Sequence, residues 1–131
     1  MHEAAIAQSI IDIVLRRLAS IRSDNAKAQR VSVILGEFRN VEPESLAFAF
    51  ENMREFYPEL TECRLDMETI SAQAKCQKAQ HLYHPEPTSF YLCPICESGI
   101  GCLIRGEEMD VVNVVIEIPK AEEEKRHARI G

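Results

Sequence analysis

The sequence contains no tryptophan, and aromatic residues make up only 6% of it. Aliphatic side chains must therefore supply most of any core. No apolar run is long enough to cross a bilayer. The chain opens Met1-His2-Glu3 without a basic stretch, and Gln8, Ser9 and Asp12 interrupt the apolar residues that follow. That pattern does not read as a secretory signal, and it predicts a cytoplasmic protein. A glycine-rich phosphate loop, a Gly-x-Ser-x-Gly elbow and a His-Glu-x-x-His pair are all missing. There is no internal repeat and no low-complexity linker. Positive charge is also short, with 15 Lys and Arg against 21 Asp and Glu, for a net charge of −6. A surface of that sign is wrong for binding a phosphate backbone.

What remains is a globular composition of 46% hydrophobic and 27% charged residues in a chain of 131. This suits one domain, with room for a small appended module. Five cysteines are present. An odd number cannot pair completely within one chain, and reduced cysteines in a cytoplasmic protein more often bind metal or react.

Residues 3–21 predict a helix, with Ile6, Ile10, Val14, Leu18 and Ile21 on one stripe and Ala7, Ile11 and Leu15 widening it. Residues 30–36 predict a strand with Val31, Val33 and Leu35 on one face. Pro43 suits the first position of a second helix, with Leu46, Phe50 and Met53 buried, Phe48 and Ala49 beside them, and Pro58 ending the segment. Residues 62–70 alternate, with Cys63, Leu65 and Met67 facing inward. Residues 109–118 give a last strand, with Val112, Val114, Ile116 and Ile118 on one face. The predicted fold is α+β: a small three-stranded sheet covered by two helices, with an inserted zinc-ribbon-like module. Residues 1–73 and 107–119 would form the α+β domain, residues 74–106 the module, and residues 120–131 a charged flexible tail.

The insert holds four of the five cysteines. Cys93-Pro94-Ile95-Cys96 has the spacing of a metal knuckle, in which two thiolates reach one ion while turn amides stabilise their charge. A sulfur-rich tetrahedral site favours zinc over iron. Cys76 stands upstream, where a zinc ribbon carries its first knuckle. Ala79 occupies the place of the matching cysteine. A closed structural site needs a fourth ligand. His81 is the first candidate, at a usual ligand spacing from Cys76, followed by His84 and then Cys102. A redox dithiol is disfavoured because no strand–helix–strand context surrounds the pair. A zinc hydrolase is disfavoured because three thiolates make a poor Lewis acid. Glu86 and Glu97 read as surface charge, Cys63 as core, and His127 as solvated.

The N-terminus offers a second nitrogen-rich constellation. A large residue at position 2 hinders removal of Met1. The Met1 amine, the His2 amide and the His2 imidazole can then surround one nickel or copper ion. From spacing alone, a solvated His2 is the commoner outcome.

Together, Met1-His2-Glu3, Leu35-Gly36-Glu37, the run from Val41 to Phe50, the cysteine module and Arg105-Gly106-Glu107-Glu108-Met109 resemble the nickel metallochaperones of hydrogenase maturation, the HypA/HybF family. The resemblance covers nearly the whole chain to about residue 118. It implies a cytoplasmic protein, not an enzyme, that delivers Ni(II) to the large subunit of a nickel–iron hydrogenase. It implies a nickel-handling maturation GTPase as partner and, in some members, urease accessory proteins. Met1, His2 and Glu3 carry over as the nickel region, and Cys76, Cys93 and Cys96 as zinc ligands, with Zn(II) structural and Ni(II) transient. Ala79 departs from the family's cysteine. Exposed strand edges allow a homodimer. The alternative reading is a zinc-ribbon protein-interaction module without a nickel role.

Overall fold

The structure is a computed structural model that describes residues 2–21 and 24–119. Met1 and residues 120–131, which include His127 and the predicted tail, lie outside the described residues. The first helix, α1, is Glu3–Ala19. It buries Ala7, Ile10, Ile11, Val14 and Leu18, the spacing of one helical face. Glu3 in its first turn and Arg16 and Arg17 in its last turn complement the helix dipole.

Strand β1 is Lys27–Gly36, with Val31, Val33 and Leu35 buried on one face as the alternation predicts. Helix α2 is Pro43–Met53, with Pro43 in its first turn and the Glu42 side chain accepting from the Glu44 N–H at its start. Leu46 and Phe50 are buried, whereas Phe48 is 70% exposed. Two residues from each of them, Phe48 points about 200° around the helix, away from the covered face. Turns of 3-10 helix at Arg54–Phe56 and Pro58–Leu60 lead to strand β2, Arg64–Ile70. Cys63, at the entry to β2, is fully buried.

The insert has its own strands: β3, Gln73–Cys76; β4, Leu82–Tyr83; and β5, Ile100–Arg105. The last strand, β6, is Met109–Glu117. Two three-stranded sheets result, in the orders β2-β1-β6 and β4-β3-β5. In the second, β3 pairs antiparallel with both neighbours, Ala74 opposite Tyr83 and Lys75 opposite Cys102. Val112 on the edge strand β6 is more than half exposed.

The chain divides into two compact units. Of the described residues, the first takes 2–21, 24–33, 41–67 and 111–119, and its core is the apolar face of α1 with Val31, Val33, Leu46, Phe50 and Leu60. The second takes residues 34–40 and 68–110. It exceeds the expected insert of residues 74–106 because the segment after β1 is bonded into it. The Gly36 N–H donates to the Glu108 carbonyl at 2.7 Å and the Phe38 N–H to the Gly106 carbonyl at 2.7 Å. Among the described residues no helix is long and apolar enough to cross a membrane.

Candidate metal centre

Two loops of the second unit have the same backbone construction. In the first, the Cys76 N–H donates to the His81 carbonyl at 3.1 Å. In the second, the Cys93 N–H donates to the Ser98 carbonyl at 2.9 Å. Each closes over a span of five residues, and each puts the residue before its end in the left-handed region: Gln80 at φ 56° and Glu97 at φ 60°. Ala79 thus corresponds to Cys96, and His81 to Ser98. The Gln77 N–H joins the loops by donating to the Gly99 carbonyl at 3.0 Å.

Four donor atoms converge between these loops. The Sγ atoms of Cys76, Cys93 and Cys96 and a ring nitrogen of His81 all lie within 4.8 Å of one another. His81 Nδ1 is 3.6 Å from Cys76 Sγ and 3.7 Å from Cys93 Sγ, and Cys96 Sγ is 3.5 Å from Cys76 Sγ. A tetrahedral zinc with bonds of about 2.3 Å to sulfur and 2.0–2.1 Å to nitrogen requires sulfur–sulfur edges of about 3.8 Å and sulfur–nitrogen edges of about 3.6 Å. These three spacings match those edges to within a few tenths of an ångström and the other pairs lie within 4.8 Å, so the four residues are close enough to close around such an ion. Cys76 and Cys93 are buried, and His81 and Cys96 half-buried. Ala74, Tyr83, Ile100 and Leu103 pack around them.

The polar surroundings favour thiolates. Burial opposes ionisation of Cys76. N–H groups of Ala79 (3.4 Å) and His81 (3.3 Å) donate to its sulfur and outweigh burial, so the thiol is pulled down to about 5. The Ser98 hydroxyl, 3.0 Å from Cys96 Sγ, is the main cause of the lowered pKa of Cys96. Contact with Cys96, then with Cys76, raises that of His81. Ala79 offers no side-chain donor, but its N–H is aimed at the Cys76 sulfur as in a knuckle turn.

The other candidates are elsewhere. His84 points to carboxylates, with Nε2 2.7 Å from Glu37 and Nδ1 3.4 Å from Glu86. Cys102 is exposed on β5, and Cys63 is buried outside the group with its thiol pushed up to about 11 by burial. His2 precedes α1, is exposed, and makes no side-chain capping bond. The Glu3 carboxylate accepts from the Glu42 N–H at 3.2 Å, tying the start of α1 to the start of α2. Ser98, as a partner of Cys96, is not among the residues that sequence reasoning singled out. The equal spacing of Cys76–His81 and Cys93–Ser98 was the signal available.

The model of a family described as hydrogenase/urease nickel incorporation, metallochaperone, HypA matches residues 1–116. The chain belongs to the HypA family. It is 29% identical over 121 residues to the hydrogenase maturation factor HypA of Lawsonia intracellularis, covering 89% of this chain and 100% of that one. With the HypA of Chlorobium limicola the identity is 34% over 121 residues, covering 89% and 97%. A relative from Synechocystis at 27% identity, covering 85% and 91%, is named guanidine hydrolase-activating protein A. The solution structure of the nickel metallochaperone HypA from Helicobacter pylori superposes with a TM-score of 0.61 at 24% identity, covering 91% of this chain and 100% of that one. That likeness shows the shared fold. As a HypA-family member the chain is a nickel-incorporation metallochaperone, with a Cys/His group able to hold a metal such as zinc.

Proposed function

We propose that this HypA-family chain binds Ni(II) at its N-terminus and delivers it to the large subunit of a nickel–iron hydrogenase. His2 would be the principal side-chain ligand, with the Met1 amine and the His2 amide nitrogen beside it. The observation that carries this reading is the exposed position of His2. It stands at the head of α1, exposed, and its imidazole takes no part in capping the helix. Glu3 acts differently, because its carboxylate is bonded to the Glu42 N–H and so orients the terminal turn. A site with few contacts at a chain end releases its ion easily, which suits a carrier.

Cys76, His81, Cys93 and Cys96 would hold a structural zinc. Three thiolates and one neutral imidazole leave the zinc site with one net negative charge. When bound, the zinc would supply a cross-link between the two loops. Partners follow from the family's role: a nickel-handling GTPase, the hydrogenase large subunit or urease accessory proteins, and a second copy of the chain.

Nickel titration followed by calorimetry tests the site. His2→Ala, and separately a short extension before Met1, should each weaken Ni(II) binding at least tenfold while leaving the zinc content intact. Unchanged nickel affinity in both would overturn the N-terminal site and favour a zinc-ribbon interaction module. The client needs its own assay, because one relative's name ties it to guanidine hydrolase. Nickel transfer to purified hydrogenase large subunit, measured with and without the chain, should be accelerated by it.

A further inference from the structure

Outside the metal centre, one histidine of the second unit joins two acidic side chains from distant parts of the sequence. His84 Nε2 is 2.7 Å from Glu37 Oε1, and its Nδ1 is 3.4 Å from Glu86 Oε1. The same Glu37 oxygen accepts from the Ala72 N–H at 2.8 Å. Glu37 belongs to the turn Glu37–Arg39 that follows β1, and Glu86 opens the turn Pro87–Ser89 that follows β4. The Glu86 carbonyl accepts from Ser89 N–H at 3.1 Å and Tyr91 N–H at 2.8 Å, so Glu86 anchors that turn.

A carboxylate on each side of an imidazole calls for a donor on each ring nitrogen, and only the protonated ring has two. We propose that His84 is an acid-fastened clasp that holds the segment after β1 and the loop after β4 together through Glu37 and Glu86. When the ring loses one proton, its bare nitrogen faces a carboxylate and repels it. The shorter contact, to Glu37, keeps the remaining N–H. Glu86 and its turn are then released.

The electrostatic surroundings agree with this assignment. From the turn after β1 comes Glu37, and from the loop after β4 comes Glu86. From β5 comes Arg105, which with Ser71, Gln73, Tyr83 and His84 lines an open cavity of about 390 Å³. Arg105 is partly engaged, since its Nε donates to the Ser71 carbonyl at 3.2 Å. Hydrogen bonding to Glu37, foremost, raises the His84 pKa above the ordinary imidazole value and, with Glu86, outweighs the burial that opposes it. The Ala72 N–H, foremost, and His84 lower that of Glu37. A raised histidine contributes stability that is complete below its unfolded pKa and disappears as pH rises through the folded one. A lowered carboxylate contributes above its unfolded pKa and fails as pH falls through the folded one. The clasp is therefore closed across mildly acidic to near-neutral pH and opens on the alkaline side.

The test uses the zinc-loaded full chain and nuclear magnetic resonance. The His84 ring nitrogens, assigned by their absence in His84→Gln, should titrate above the ordinary imidazole range. The midpoint should drop in Glu37→Gln and drop less in Glu86→Gln. Above that midpoint, exchange of the Ser89 and Tyr91 amides, corrected for hydroxide catalysis, should quicken roughly two- to fivefold, the range of a partly exposed ion pair. His84→Arg, which keeps its charge and more than one donor at every pH, should hold exchange slow throughout. His84→Gln should show fast exchange with no pH step. A midpoint unmoved by Glu37→Gln, or the same step in His84→Gln as in the parent, would overturn the clasp. If His84→Gln fails to fold, the Glu37→Gln midpoint and the His84→Arg exchange profile decide the matter.

Discussion

Removing the His81 imidazole is the sharpest test of the metal centre. Structural zinc sites bind with an apparent free energy of about 10–16 kcal/mol. Shared equally among four ligands, one is worth roughly 3 kcal/mol, or about two orders of magnitude in dissociation constant. His81→Ala should therefore weaken zinc by about a hundredfold, while His84→Ala and Cys102→Ala change it by less than about threefold. The corresponding positions of the two loops give a rescue. Ala79 matches Cys96, and its N–H already points at Cys76 Sγ from 3.4 Å. Ala79→Cys placed on His81→Ala should restore a fourth sulfur and most of the lost affinity. Competition with a chromophoric chelator measures all four variants. Cobalt substitution adds a second readout, because ligand-to-metal bands strengthen when thiolate replaces imidazole. Undiminished zinc affinity in His81→Ala, or a loss confined to His84→Ala or Cys102→Ala, would refute this ligand set. Failure of the double variant to recover would refute the correspondence between the loops.

Phe50 is fully buried, so Phe50→Ala should cost about 3–5 kcal/mol in urea unfolding, whereas Phe48→Ala on the exposed face should stay within about 0.5 kcal/mol. Gly36 has an ordinary extended backbone, but a Cβ there would stand 2.2 Å from the Gly106 carbonyl carbon. Gly36→Ala should thus destabilise by about 1–3 kcal/mol through backbone crowding, seen as a lower thermal midpoint. In mass-spectrometric alkylation of the zinc-loaded chain at pH 8, where the ion holds Cys76, Cys93 and Cys96, exposed Cys102 should label first. Cys63, fully buried and with its thiol near 11, should label only as the chain unfolds.

The parts of the fold that were legible in the sequence are those that repeat locally. The period of α1 marks its buried face, Pro43 marks the start of α2, and the alternation of Val31, Val33 and Leu35 marks β1. The second sheet left no comparable trace. Strand β4 has two residues and β3 has four, too few for a pattern to show. Their identity comes from pairing across the chain, Gln73 with Arg105 and Ala74 with Tyr83. Glu37 was equally opaque, since its partners Ala72 and His84 are remote in sequence.

The metal centre lies between these cases. Its cysteine spacing is local, but the reason His81 can join it is a correspondence between two loops. In the second loop the residue at the closing position is Ser98, whose hydroxyl stands 3.0 Å from Cys96 Sγ. That contact shows that a side chain at this position faces the sulfur group. A hydroxyl there is too short to be more than a hydrogen-bond partner. An imidazole at the same position of the first loop is longer, and its Nδ1 comes within 3.6–3.7 Å of Cys76 and Cys93. The geometry that makes Ser98 an outer partner of one knuckle thus makes His81 a candidate inner ligand of the other. A knuckle that lacks its second cysteine at Ala79 can then still present four donors, because the fold already aims a later position at the ion.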